Sequence, residues 1–238
     1  MKYITLFEQQ TAFDEAKSTL DKPNMSLVTE TGNVYSLSVG GGVTYEYVDL
    51  GLSVKWAKCN VGAEKETDAG LYFAWGETTG YTASQVGTDK RFSWSDYKYG
   101  NSSSNLTKYN QSDGKTVLKS TDDAATQIMG EGWRMPTQSE FQELIDNTDK
   151  LWTTINGVNG YKFTSKKEGY QNNSIFIPAA GNCGDGSVGN VGYYGNVWSS
   201  SLYTSGPSNA WGLNFYSGSC RMDYYGRCYG RSVRGVRK

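Results

Sequence analysis

The residues best equipped for chemistry sit at the C-terminal end, in FYSGSCRMDYYGRCYGRSVRGVRK from Phe215 to Lys238. Cys220 and Cys228 offer thiol chemistry. Arg221, Arg227, Arg231, Arg234 and Arg237 with Lys238, against Asp223, offer a grip on phosphate-bearing polymers. The tyrosines, interleaved with Ser and Gly, offer a recognition surface. No aliphatic residue interrupts the run until Val233, which is unlike a strand that closes a core.

The chain has no histidine. That removes Ser–His–Asp and Cys–His machinery, imidazole metal ligands and a histidine base. Carboxylate chemistry would fall to residues such as Glu140 and Glu143. Thr137 and Glu140, however, form a T-x-x-E capping box, and a cap plus a solvated helix face accounts for both glutamates. The four cysteines, Cys59, Cys183, Cys220 and Cys228, form no CxxC and read as free thiols. No catalytic residue and no metal ligand is therefore assigned, and an enzyme is not expected. A structural calcium in the loops of 78–120 stays open.

The net charge is −1, so no global field draws the chain to nucleic acid or an anionic membrane. Arg231, Arg234 and Arg237 read as members of a closing strand, paired with acids such as Asp49, Asp68 or Glu77. The N-terminal stretch has no secretory leader, and no stretch has the length of a membrane-spanning helix. Folding in a cytoplasm is expected.

The elements that must position these residues are short. Residues 1–44 read as a separate attachment or oligomerisation element. It has helical spacing over Glu8–Leu20, strand-like alternation over Ser26–Leu37 around a Thr-Gly-Asn turn, and a Gly40-Gly41-Gly42 joint. The main domain begins at Tyr45. Val48, Leu50, Leu52, Val54 and Trp56 alternate as a half-buried strand, and Asp68–Glu77 reads as a short aromatic strand. Residues 78–120 read as loop with short structure, including the aromatic cluster FSWSDYKY of 92–99. Two helices follow, Asp122–Met129 and one opened by the capping box. Gly160–Thr164 and Asn173–Pro178 read as a hairpin. The glycine-rich AAGNCGDGSVGNVG of 179–192 lacks a phosphate-loop pattern. VWSSS (197–201), AWGLNF (210–215) and GRSVRGVR (230–237) read as the last strands, the third closing on the second.

WRMPTQSEFQEL, IPAAG, WSSS and SVRGVR, together with VDLGLSVKWA, CNVGA and DAGLYFAWGE, resemble a domain family of gut Bacteroidetes and their phages. That family is related to the formylglycine-generating-enzyme subtype of the C-type lectin fold, and the likeness covers nearly all of 45–238. It implies an α+β, C-type lectin-like fold with short antiparallel strands, two helices and much loop. The opening KYITLFEQQTAFDEAKSTLDKPN looks like N-termini of gut-phage tail proteins. Some relatives are trimers, so the N-terminal element is where a homo-oligomer would form. The EPN and QPD sugar signatures of calcium lectins are absent.

The fold includes the variable proteins of diversity-generating retroelements, in which mutated adenines convert asparagine codons into a mixture. From Tyr216 to Gly230 every residue but Met222 is reachable from such a codon. The resemblance thus implies a variable, ligand-binding region at about 192–230. Its candidates are Tyr193, Tyr194, Asn196, Tyr203, Ser205, Ser208 and Asn209, then Tyr216, Ser219, Cys220, Arg221, Asp223, Tyr224, Tyr225, Gly226, Cys228 and Tyr229. Trp198 and Trp211 are expected in the core. The implied function is receptor recognition from a phage tail, with a bacterial surface protein or glycan as ligand. The alternative is an undiversified adhesin on a bacterial cell surface. A third reading, an oxidase like the formylglycine-generating relatives, would need Cys220 and Cys228 as a copper-binding pair.

Overall fold

A computed structural model describes residues 45–238 and, before them, only β1 (Val28–Thr29) and β2 (Tyr35–Ser36). These two strands pair antiparallel, Val28 opposite Ser36 and Thr29 opposite Tyr35, and the turn expected between them lies outside the described residues. The helix expected over Glu8–Leu20 and the glycine joint lie outside the described residues. Contacts divide the chain into Met1–Thr44 and Tyr45–Lys238, and the second unit carries everything below.

That unit is α+β, built from small antiparallel sheets and, among the described residues, three α-helices. β3 (Tyr47–Val48), β4 (Lys55–Asn60) and the last strand, β15 (Arg234–Arg237), form one sheet with β4 central. The two ends of the unit meet there, with Val236 opposite Trp56 and Arg234 opposite Asn60. The closing strand therefore pairs with the opening of the domain and not with AWGLNF.

The alternation from Val48 to Trp56 predicts one strand, and the structure breaks it. Asp49 Oδ1 accepts from Gly51 N–H at 2.8 Å, and Gly51 takes φ +68°. A Cβ there would lie 2.6 Å from the Tyr170 ring, so this turn requires glycine. Leu50 and Val54 are nonetheless buried, because the loop sends them into the core. Asp68–Glu77 is likewise no regular strand. It is held by isolated bridges, Tyr72 to Tyr81 and Phe73 to Arg231.

The short structure expected within the loop of 78–120 includes a helix, α1 (Ala83–Asp89), that its sequence does not announce. A Thr82–Gln85 capping box starts it, but only Val86 is buried, so no apolar stripe marks it in sequence. β5 (Gly100–Ser102) and β6 (Asn105–Leu106) pair in the same region. α2 (Ala124–Met129) is capped by Asp123, whose Oδ1 accepts from Thr126 N–H at 2.9 Å. α3 (Gln138–Asn147) carries the expected box: Thr137 Oγ1 accepts from Glu140 N–H, and Glu140 Oε2 from Thr137 N–H at 2.8 Å. Arg134 forks onto the same Glu140 carboxylate, so this acid is fully engaged in structure.

β7 (Thr148–Ile155), β8 (Val158–Ser165) and β9 (Ser174–Pro178) form a meander that contains the expected hairpin. β10 (Asn182–Gly184) and β11 (Ser187–Gly189) make a small hairpin of the glycine-rich loop. β12 (Gly195–Leu202), β13 (Asn209–Tyr216) and β14 (Ser219–Gly226) make the final sheet.

Three buried clusters join these pieces. The first gathers Trp56, the α3 stripe Phe141, Leu144 and Ile145, and Phe163, Ile177, Leu213 and Phe215. The second centres on Trp75, Tyr109, Trp133 and Trp198. The third holds Tyr72, Phe92, Tyr97, Tyr99, Cys183 and Cys228.

Buried arginines tie the clusters together, and they do so without the acids expected for them. Arg234 donates to Asn60 Oδ1 and to the carbonyls of Ala57, Lys58 and Phe176. Arg227 donates to Tyr97 Oη at 2.9 Å and to the carbonyls of Tyr109, Pro207 and Lys108 at 2.9–3.0 Å. Arg237 lies over Tyr47 and Trp133. Carbonyl oxygens and ring faces satisfy a guanidinium without a second desolvated charge, whose burial would cost several kcal/mol. Glu77 instead sits 3.9 Å from Arg91 and accepts from Lys98 N–H.

Arg227→Leu should expose the cost of this arrangement, because the buried Tyr97 hydroxyl, the buried Tyr109 carbonyl and the half-buried carbonyls of Pro207 and Lys108 would lose their donor. A loss of about 3 kcal/mol or more in urea unfolding is expected. A change within about 0.5 kcal/mol, the range of ordinary surface substitutions, would contradict the role.

Candidate ligand-binding surface

The sheet of β12, β13 and β14 positions most of the sequence candidates. Side chains alternate across a strand, so the register sorts them into two faces. Trp211 opposes Tyr224, Leu213 opposes Met222, and Phe215 opposes Cys220 on one face. Ala210 opposes Tyr225, Gly212 opposes Asp223, and Asn214 opposes Arg221 on the other.

The first face enters the core through Leu213 and Phe215, with Met222 and Cys220 packed beside them. At its far end it emerges as an aromatic group. Tyr203 stacks on Tyr224 with centroids 3.9 Å apart and planes within 2°. Trp211 meets both rings edge-on, at 5.2 and 5.7 Å. Trp211 is half-buried, so it belongs to this surface group and not to the core expected for it; Trp198 is fully buried as expected.

The second face packs into the second cluster through Ala210 and Tyr225 and borders a cleft of about 260 Å³. Tyr194, Tyr225 and Tyr229 contribute aromatic walls, while Asn182, Asn190, Asn196 and Asn214 contribute amides. Arg231 completes the lining and is itself buried. Its guanidinium lies 3.6 Å from the Tyr225 ring centroid and 4.8 Å from that of Trp198. Asn196 Oδ1 accepts from Arg231 Nη1 and from Asn214 Nδ2, the latter at 3.0 Å. Burial pushes the Arg231 pKa down to about 10, which leaves the group charged at neutral pH. The hairpin β10–β11 reaches the cleft because Cys183 and Gly230 exchange backbone hydrogen bonds at 2.8 and 2.9 Å.

Outside the cleft, Asp223 accepts from Arg221 Nη2 and from Tyr225 Oη, each at 3.1 Å. Tyr194 packs against Tyr216 at 5.4 Å. A larger hollow of about 420 Å³ runs between residues 103–112 and Gly206–Ser208. Its lining is mostly small and polar, without a charged or aromatic side chain.

The candidates divide by exposure. Tyr193, Tyr194, Ser205, Arg221, Tyr224 and Tyr229 are exposed, with Tyr193 at 74%. Tyr203, Ser208, Asn209, Tyr216, Ser219, Cys220, Asp223, Tyr225 and Gly226 are half-buried. Asn196 and Cys228 are buried: Asn196 is held among Arg231 and Asn214, and Cys228 packs in the third cluster. Cys228 therefore leaves the candidate surface, whereas Asn196 shapes the cleft from below. Tyr224 and Tyr225, adjacent in a strand, point to opposite faces, and only Tyr224 is exposed.

Sequence reasoning missed Asn182, Asn190, Asn214 and Arg231. Asn214 carried a signal, a polar residue between Leu213 and Phe215 in an otherwise apolar strand. The other three reach the cleft through tertiary contacts that no local pattern records. The basic patch also dissolves, since Arg227, Arg231 and Arg234 are buried.

Cys220 packs against the first cluster and Cys228 within the third, so the pair needed for a copper site does not form from them. All four cysteines are free. Among the described residues, no three Cys, Asp or Glu side chains group to hold a metal. Burial pushes the thiols of Cys183, Cys220 and Cys228 up to about 12. Burial raises the half-buried Cys59 thiol as well, so at pH 8 a thiol reagent should label Cys59 and Cys220 slowly in the native protein, and the buried Cys183 and Cys228 only on unfolding. Rapid native labelling of Cys183 or Cys228 would contradict their placement.

The chain matches no protein-family model, no curated protein and no solved structure, so a reading of this surface rests on its own geometry and chemistry.

Proposed function

We propose that the chain is a ligand-recognition protein whose binding surface is the outer part of the β12–β14 sheet and the turn before it. One observation carries the reading. Exposed Tyr193, Tyr194, Tyr224, Tyr229 and Arg221 stand on this sheet or beside it, while the residues between them hold the scaffold. Tyrosines bring large contact area at low entropic cost, and Ser, Asn and Gly adapt their hydrogen bonds around them.

The same alternation supports diversification by a retroelement. Met222, which mutated asparagine codons cannot produce, packs inward against the first cluster. Leu213 and Phe215 of the intervening strand are also inward. Random change at the outward positions would leave those contacts intact. The fold is proposed to be C-type lectin-like, of the formylglycine-generating-enzyme subtype. The setting is proposed to be a phage tail, where many copies raise the avidity of a weak site for a bacterial surface protein or glycan. An undiversified adhesin of the same fold is the alternative, and it would use the same surface.

The test uses the fluorescently labelled full chain and a panel of gut Bacteroidetes isolates. Binding to at least one isolate is expected, with Tyr224→Ala and Tyr193→Ala each weakening it roughly tenfold or more. Melting temperatures should stay within a few degrees, since both side chains are exposed. Binding that neither variant alters, or no binding to any isolate, would overturn the reading.

A further inference from the structure

Arg231 poses a question that the scaffold does not answer. It is 3% exposed and lines the cleft, yet among the described residues no carboxylate bonds to it. Its Nη1 is used by Asn196, and its Nε, like those of Arg91 and the Trp56 indole, is sealed from solvent with no hydrogen-bond partner among the described residues. A buried charge and an orphaned donor are both costly, and such groups ordinarily find a partner. The nearest acid on the sheet, Asp223, is occupied by Arg221 and Tyr225. Arg227 and Arg234, by contrast, spend their donors on backbone carbonyls, a hydroxyl and an amide.

The rest of the cleft says what kind of molecule would bring the missing negative charge. Asn190 Nδ2 donates to Asn182 Oδ1 and Asn214 Nδ2 to Asn196 Oδ1, each at 3.0 Å, which leaves Asn182 Nδ2, Asn190 Oδ1 and Asn214 Oδ1 for sugar hydroxyl groups. Tyr194, Tyr225 and Tyr229 give ring faces for an apolar sugar face. The volume, about 260 Å³, falls just below the roughly 300–1,000 Å³ of sites for drug-sized ligands, so it holds about one sugar ring.

We propose that this cleft binds an acidic sugar residue, its carboxylate paired with Arg231 and its hydroxyls with the asparagine amides. This rests on the recognition reading above and names the ligand class for one part of that surface. The carboxylate would complete a charge-assisted pair in a water-poor site, where such pairs are strongest. Selectivity follows, because a neutral sugar would leave the buried charge of Arg231 without a counter-ion.

Glucuronate, glucose and inorganic phosphate serve as probes, titrated into the ¹⁵N-labelled full chain and followed by NMR. Glucuronate should move the Arg231 Nε–H resonance and the amides of 182–196. Glucose should bind roughly tenfold more weakly or not at all. Arg231→Gln should abolish the response, but it removes a buried side chain and can unfold the protein. Asn190→Asp avoids that problem: Asn190 is exposed at the rim, the isosteric change costs only its exposed bond to Asn182, and the added negative charge should weaken glucuronate roughly tenfold with the melting temperature within a few degrees. Equal binding of glucose and glucuronate, tighter binding of phosphate, no response to glucuronate, or an Asn190→Asp variant that binds as before would each overturn the assignment. Cell binding sensitive to Tyr224→Ala would survive all four outcomes, so the two readings fail separately.

Discussion

The fold depends on burying positive charge without burying negative charge beside it. Arg227, Arg231 and Arg234 follow one another closely near the C-terminus, and each is almost wholly removed from water. Removing an ion from water costs several kcal/mol, and a salt bridge would double the number of ions to be desolvated. This chain uses carbonyls, amides and ring faces instead. Arg234 draws β4 and β9 together through Ala57, Lys58 and Phe176. Arg227 pins Lys108 and Tyr109 of the long loop to the end of β14, and lies about 5 Å from the Trp75 and Tyr97 rings. The planar fork of arginine makes this possible; lysine has neither the five fixed donors nor the stacking face.

That constraint shapes the surface. With loops of low regularity anchored from beneath, the β12–β14 sheet can present polar and aromatic side chains outward without relying on them for stability. Tyr193, Tyr224 and Tyr229 are exposed, and the core packing of Leu213, Phe215 and Met222 does not include them. Arg231 is the exception. It belongs to the anchoring set by burial and to the cleft by position, and it keeps a donor in reserve.

Much of this was legible in the sequence wherever the signal was local. The α3 cap, the β8–β9 hairpin, the inward apolar residues of β13 and the opposite faces of Tyr224 and Tyr225 all follow from spacing and residue type. The misses share a cause: tertiary contact overrode local pattern. Val48–Trp56 alternates like a strand, but its apolar residues reach the core from a glycine turn. Asp68–Glu77 is aromatic like a strand, but bridges hold it only at Tyr72 and Phe73. The arginines looked like partners for Asp49, Asp68 and Glu77, yet carbonyls from distant segments took them. Asn182 and Asn190 lie in a glycine-rich loop whose place beside the cleft is set by the backbone bonds of Cys183 with Gly230.

The central claim is that exposed and buried positions of one C-terminal region obey different rules. The most direct measurement is deep sequencing of the 3′ end of this gene across a population that carries it. The account predicts that substitutions gather at outward positions such as Tyr193, Arg221, Tyr224 and Tyr229. They should trace to adenines in a nearby imperfect repeat, while Leu213, Met222, Arg227, Arg231 and Arg234 stay constant. Invariance across the whole region, or free substitution at Arg227 and Arg234, would contradict it.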